Sequence, residues 1–180
     1  MSGKPKLFLL DAGPVIGFHE LGLWAALLDR AEVIVPAVVA DREARFWDDG
    51  QGVGRAITLR ADEAAGRLQI MGADAVIVAA VLSRFDPVMR ERIDPGEAEA
   101  ITLMCNCEKE PREFCTADHA AVRAACLLGF ADRVVSLETI LRRVGLGRPG
   151  LAARYSETRV RQWVAEGRQQ RLRGEGLAGS

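Results

Sequence analysis

Apolar residues along this chain fall into two patterns. Short, nearly continuous apolar runs occur at residues 6–10 (Lys-Leu-Phe-Leu-Leu), 32–35, 113–116 and 133–137. Runs this short that lack polar alternation predict strands buried on both faces, as in a parallel sheet. Between them lie stretches of helical period. Val15, Leu21, Trp24, Ala25 and Leu28 share one such stretch, which ends near Asp29 and Arg30. Pro36 opens another, with Val38, Val39 and Phe46 covering part of the sheet. Residues 73–84 predict a helix with Val76, Ile77, Ala80 and Val81 on its apolar face. Ala98, Ile101 and Met104 continue one face of a helix starting at Asp94-Pro95-Gly96-Glu97. Residues 118–128, 138–144 and 156–172 complete the set, Gly129 ending the first of these.

Strands that alternate with helices imply crossover connections and a parallel sheet with helices on both faces. The expected fold is therefore a three-layer α/β/α sandwich with a central, mainly parallel sheet. Residues 48–54, rich in Gly and Asp, read as a loop. Residues 56–59 and 67–71 read as a hairpin or as short separate strands. With 180 residues the chain fits one domain, and such a domain buries about two thirds of the surface its unfolded chain exposes.

Composition narrows the function. The chain is 49% hydrophobic and 27% charged, a soluble globular balance, and its net charge of −1 excludes binding to nucleic acid through bulk positive charge. A local basic groove stays open. No apolar run has the length of a membrane span, and no signal-peptide pattern opens the chain, so a cytoplasmic location is expected. Cys105, Cys107, Cys115 and Cys126 form no C-x-x-C pair and fall in apolar segments, which predicts buried free thiols in a reducing compartment. The last helical stretch carries Arg154, Arg159, Arg161, Arg168 and Arg171, with Arg173 beyond. Glu157 and Glu166 dilute that charge. An amphipathic helix docked through Trp163 is thus favoured over a phosphate-contacting face.

The carboxylates carry the chemistry. Asp11 directly follows the first apolar strand, and ligands in open α/β sheets gather at the carboxyl ends of strands. Asp118 follows the run Phe114-Cys115-Thr116-Ala117. Glu97 opens the helix before that strand. Each has a structural reading: Glu97 completes a capping box with Asp94, Asp118 caps a helix, and Asp11 bonds turn amides before Pro14. Three such placements together point to a shared site. Clustered carboxylates resist joint ionisation unless a cation sits between them, and Mg²⁺ or Mn²⁺ suits an all-oxygen donor set. His119 adjoins Asp118 but reads as a solvated helix residue. No dinucleotide fingerprint and no nucleophile elbow occurs.

These segments resemble a known family. Leu9-Leu10-Asp11-Ala12-Gly13-Pro14-Val15-Ile16 resembles the opening motif of PIN domains. Asp94-Pro95-Gly96-Glu97-Ala98-Glu99-Ala100-Ile101 resembles their central Gly-Glu motif, and Thr116-Ala117-Asp118 their third acidic motif. The resemblance spans about residues 7–146. It implies a divalent-metal-dependent endoribonuclease of the VapC kind, often the toxin of a toxin–antitoxin pair and often a homodimer. Its partners would be an RNA substrate and an antitoxin protein. It also implies that Asp11, Glu97 and Asp118 are catalytic and hold the metal. The family often adds an acid in the helix after the second strand, in a Pro-x-x-Val-x-x-Glu pattern. Here Pro36 and Val39 match, Arg42 stands at the acid position, and Asp41 or Glu43 is the candidate fourth ligand. On this reading residues 1–150 form the nuclease domain. Residues 151–173 are a C-terminal helix packed on it, and 174–180 a disordered tail. A catalytically silent PIN-like interaction module is the alternative. An α/β phosphatase with Asp11 as nucleophile is disfavoured, since the position for its second acid holds Gly13.

Overall fold

A computed structural model describes residues 7–106 and 111–179. In chain order it contains β1 (Phe8–Leu10), α1 (Ala12–Glu20), α2 (Trp24–Arg30), β2 (Val33–Pro36), a π-helical turn (Val39–Glu43), β3 (Phe46–Asp48), β4 (Gly54–Ala56), α3 (Leu59–Ala64), β5 (Gln69–Met71), α4 (Ala75–Leu82), α5 (Pro87–Arg90), α6 (Pro95–Cys105), β6 (Glu113–Cys115), α7 (His119–Leu127), β7 (Val134–Val135), α8 (Leu137–Arg143) and α9 (Glu157–Leu172).

The central sheet has the order β5-β2-β1-β6-β7, and every pairing in it is parallel. Its inner strands β1 and β2 are continuous apolar runs because both faces are covered. Phe8 and Leu10 point to one face, where Val33, Val35, Cys115 and Val135 join residues of α1, α2 and α8. Leu9, Ile34 and Phe114 point to the other, against Ala100, Leu103 and Met104 of α6 and Ala121 and Ala125 of α7. The side-chain period of two thus divides each strand between two cores. The architecture is the three-layer α/β/α sandwich expected from the alternation. A further cluster of Val81, Phe85, Met89, Ile101 and Leu127 seats α4 and α5 on the outside of α6 and α7.

Aspartate and serine start many of the helices. Asp11, Asp74, Asp86, Asp94, Asp118, Ser136 and Ser156 each accept a hydrogen bond from an amide of the turn that follows. Among the described residues no helix is long and apolar enough to cross a membrane.

Several local expectations are corrected. The helical stretch after Pro14 is two helices, because Gly22 takes a left-handed φ of +67° between them. Phe46 does not cover the sheet. It lies 59% exposed in a hairpin, β3 pairing antiparallel with β4, and the 48–54 loop is that hairpin's turn. Residues 69–71 instead form the sheet's edge strand beside β2. In α4 the inward residues are Val78, Val81 and Leu82, whereas Val76 is 77% exposed. Helix α9 docks on α7 with the half-buried Trp163 ring against His119, as expected, and with Gly167 against Cys126. A Cβ at Gly167 would stand 2.7 Å from that of Cys126, so glycine there sets how closely the helices approach.

Residues 174–179, expected to be disordered, are held against the α4–α5 corner. Leu177 bridges to Phe85, the Asp86 amide donates to the Gly176 carbonyl at 3.0 Å, and the Ala178 amide donates to the Arg84 carbonyl at 2.9 Å. Cys115 and Cys126 are buried free thiols and Cys105 is a half-buried one. Cys107, Lys6 and Ser180 lie outside the described residues.

Candidate functional site

From β1 the chain winds to one side of the sheet, through β2 and β5, then returns to the other side as β6 and β7. The switch lies between β1 and β6, and the carboxyl ends of the strands flanking such a switch form the natural ligand crevice of an open α/β sheet. Asp11 and Thr116 are the residues that follow those two ends. A cleft of about 320 Å³ opens there, lined by Asp11, Asp94, Glu97 and Asp118 together with Arg154 and Tyr155.

Asp11 extends the β1–β6 ladder, its amide donating to the Cys115 carbonyl at 3.0 Å. One carboxylate oxygen caps α1, accepting from the Ala12 amide at 2.8 Å. The other accepts from the Thr116 hydroxyl at 2.7 Å. That hydroxyl also accepts from the Asp118 amide at 3.1 Å, so Thr116 ties the two acids' loops together. Asp11 is 5% exposed. Burial pushes its carboxyl up to about 6, with Asp94 and Asp118 adding to the rise and the bonds from Thr116 and Ala12 opposing it.

Glu97 completes the expected capping box. Its amide donates to Asp94 Oδ1 at 2.8 Å, and its Oε2 accepts from the Asp94 amide at 3.1 Å. It is 3% exposed. Burial, then the charges of Asp94, Asp11 and Asp118, push its carboxyl up to about 9. Asp118 Oδ1 caps α7, accepting from the Ala120 and Ala121 amides at 2.6 and 3.3 Å. Neither Glu97 Oε1 nor Asp118 Oδ2 has a hydrogen bond among the described residues.

The two candidates beside Arg42 separate cleanly. Asp41 is exposed and paired with Arg60 at 2.9 and 2.7 Å; that hydrogen-bonded guanidinium holds its carboxyl below the usual range. Glu43 turns inward, its Oε1 accepting from the Gly96 amide at 3.0 Å beside the start of α6. Burial, and then Asp94, Asp11 and Glu99, raise its carboxyl. A Cβ at Gly96 would fall 2.1 Å from Glu43 Oε2, so this approach requires glycine.

The inward turn of Glu43 follows from the π-helical turn. The Ala44 amide bonds the Val39 carbonyl, five residues back, at 2.9 Å. The turn thus holds one residue more than an α turn, and the phase that would point residue 42 at the cleft points Glu43 there instead.

Three residues of this neighbourhood carry no spacing signal. Glu99 is buried, its carboxylate accepting from the Val38 amide at 2.7 Å and the Ala73 amide at 3.0 Å, which clamps α6 to the chain leaving β2 and β5. Arg154 and Tyr155 reach the cleft from the 3₁₀ turn before α9. The Tyr155 hydroxyl donates to the Gly13 carbonyl at 3.2 Å and accepts from Arg154 at 3.1 Å. His119 leaves the cleft for α9, pairing with Glu166 at 3.2 Å and packing on Trp163.

Asp11, Glu97 and Asp118 therefore meet at one cleft, with Asp94 and Glu43 beside them and Asp41 outside. The donors are all carboxylate oxygens, two of them free of hydrogen bonds among the described residues. That chemistry fits a hard divalent cation such as Mg²⁺ or Mn²⁺. Among the described residues, no three His, Cys, Asp or Glu side chains are drawn together as a ready-made ligand group. Comparison of the chain with protein-family models, with curated proteins and with solved structures finds no match in any of the three.

Proposed function

We propose that this cleft cleaves RNA phosphodiester bonds with the help of a divalent cation, Mg²⁺ or Mn²⁺, held by Asp11, Glu97 and Asp118, with Glu43 as the fourth acid. The observation that carries the reading is the gathering of buried acids at the topological switch. Two carboxyls there are pushed up to about 6 and about 9, first by burial and then by the charges of Asp94 and Asp118, with Asp11 adding to the rise at Glu97. Protein sites do not gather acids for stability, because like charges in a desolvated cleft oppose folding. A bound cation reverses that cost, and it supplies an activated water and charge neutralisation at the leaving oxygen.

The chain's own groups have positioning roles. Thr116 fixes the rotamer of Asp11 and the loop of Asp118. The capping box holds Glu97 with one oxygen to spare. Arg154, stacked on Tyr155 at 4.7 Å, is the cleft's cation, suited to a phosphate oxygen. The motif resemblance to PIN domains supports the same reaction. It also carries the suggestion of a toxin's role, with an antitoxin partner and a homodimeric state.

The catalytically silent module is the second reading, favoured by the absence of a ready-made ligand group among the described residues. Thermal unfolding with and without Mn²⁺, run beside a cleavage assay on structured and unstructured RNA, separates the two. The nuclease reading expects Mn²⁺ to raise the wild-type Tm. It expects chelation to abolish cleavage, Asp11→Asn and Glu43→Gln to lose both responses, and Asp41→Asn to keep both. A wild-type protein with no metal-dependent shift and no cleavage leaves the silent module as the better account.

A further inference from the structure

Two arginines close to Glu43 in the chain stand outside the acidic site. Arg42 and Arg45 are both exposed, and neither side chain has an ion pair or hydrogen bond among the described residues. Nearby arginines differ: Arg55 pairs with Asp49 at 2.9 Å, and Arg60 pairs with Asp41 and Glu63 at 2.7 and 3.0 Å. Immediately after Arg45 the chain enters the β3–β4 hairpin through Phe46. Its ring is 59% exposed, with the Arg45 guanidinium 5.8 Å from its centre.

The hairpin is seated so that Phe46 must face outward. Side chains alternate along a strand, so Phe46 and Trp47 point to opposite faces. Trp47 packs on His19 of α1 at 6.5 Å, and His19 stacks on Trp24 at 4.9 Å. The Trp24 indole N–H donates to Asp62 at 2.9 Å, closing the stack. This pins the register, since a one-residue slip would exchange the two rings. On the outer face Phe46 stands opposite Ala56, with Gly54 next along that strand, so β4 puts no bulky side chain against it. The result is a solvent-exposed ring with the Arg45 guanidinium over it and Arg42, a second exposed cation, four residues earlier, on the same stretch of chain that delivers Glu43 to the cleft.

We propose that the β3–β4 hairpin is an arm that holds single-stranded RNA, with Phe46 stacking on an unpaired base and Arg42 and Arg45 holding the phosphates on either side of it. This rests on the nuclease reading of the cleft and specifies its substrate as unpaired RNA. An acidic cleft repels a polyanion, and a net charge of −1 provides no long-range attraction, so the strand needs cations placed next to the cleft. The ring carries no hydrogen-bonding group, so it grips any base without reading which one. A duplex buries its base faces and cannot present one to it.

The test uses the full chain in chelator, where binding is read apart from cleavage. The probe is a labelled mixed-sequence RNA of about twelve nucleotides, within the range of single-strand site sizes, offered alone and annealed to its complement. Anisotropy should show tighter binding to the single strand. Phe46→Ala should weaken that binding about tenfold or more with an unchanged Tm, and Phe46→Trp should retain it. Each of Arg42→Gln and Arg45→Gln should flatten the dependence of log affinity on log salt by about 0.7. Equal affinity for duplex, no binding by the wild type, or a Phe46→Ala variant that binds as the wild type does would overturn the arm. A wild type that self-associates through Phe46 while its RNA binding ignores the substitution would do the same. A wild type that binds through Phe46 yet cleaves nothing when Mn²⁺ is added keeps the arm and removes the nuclease.

Discussion

Glu97 is at once a helix cap and an acid held against its preference to ionise. In the folded chain its carboxyl stands at about 9 against an ordinary 4.5, and that of Asp11 at about 6 against 3.8. Between those values the metal-free folded state keeps protons that the unfolded chain has lost. The stabilisation is therefore complete below about 4.5 and drains away as pH rises toward 9. Denaturant unfolding in chelator should show wild-type stability falling across that window, and Glu97→Gln, which keeps the capping box, should flatten the fall. A wild type and variant with parallel pH profiles would show that Glu97 ionises normally. At this scale the sequence was informative wherever a functional acid also does a local job. Asp11, Glu97 and Asp118 were visible because each caps a helix after a strand or a turn. Tyr155 was invisible and Arg154 was grouped with the outer face of the last helix, since both reach the cleft from a turn whose path depends on how that whole helix docks.

Elements were legible by type more than by boundary. The apolar runs and the helical periods between them led to the parallel sheet, because burial on both faces leaves a clear mark on composition. What failed were positions whose neighbours come from far along the chain. Val76 and Val81 are equally apolar, yet only Val81 meets α6. Phe46 was assigned to the sheet because nothing local says that Trp47 claims the inward side. Gly167 shows the converse, a residue poor for helices kept inside a long one. Alanine there would gain about 1 kcal/mol of helix propensity. Its Cβ would meet that of Cys126 at 2.7 Å and Sγ at 3.0 Å on a facing helix that cannot yield locally. Overpacking of this kind costs about 1–3 kcal/mol. Gly167→Ala should therefore destabilise by about 1 kcal/mol in urea unfolding, and an unchanged or raised midpoint would show that α9 shifts freely.

Across the whole molecule the outer cluster is closed by the end of the chain. Leu177 packs beside Phe85, and two backbone hydrogen bonds fix residues 176 and 178 to the α4–α5 corner. Composition suggested disorder here because Gly-rich ends bury little, and one leucine with a ready backbone partner outweighed that. Truncation after Arg173 should cost about 1–2 kcal/mol, the scale of one partly buried leucine, measured by urea denaturation. An unaltered midpoint would mean that the corner is stable uncovered.

The winding of the sheet also sets an order in time. Strand β1, made early, lies between β2 and β6, and β6 follows it by about a hundred residues. The carboxylates obey the same order, Asp11 and Glu43 preceding the hairpin and β5, Glu97 and Asp118 following them. A chain growing from the ribosome thus carries half of the four acids beside an unfilled sheet edge, and the set is complete only once Asp118 has emerged.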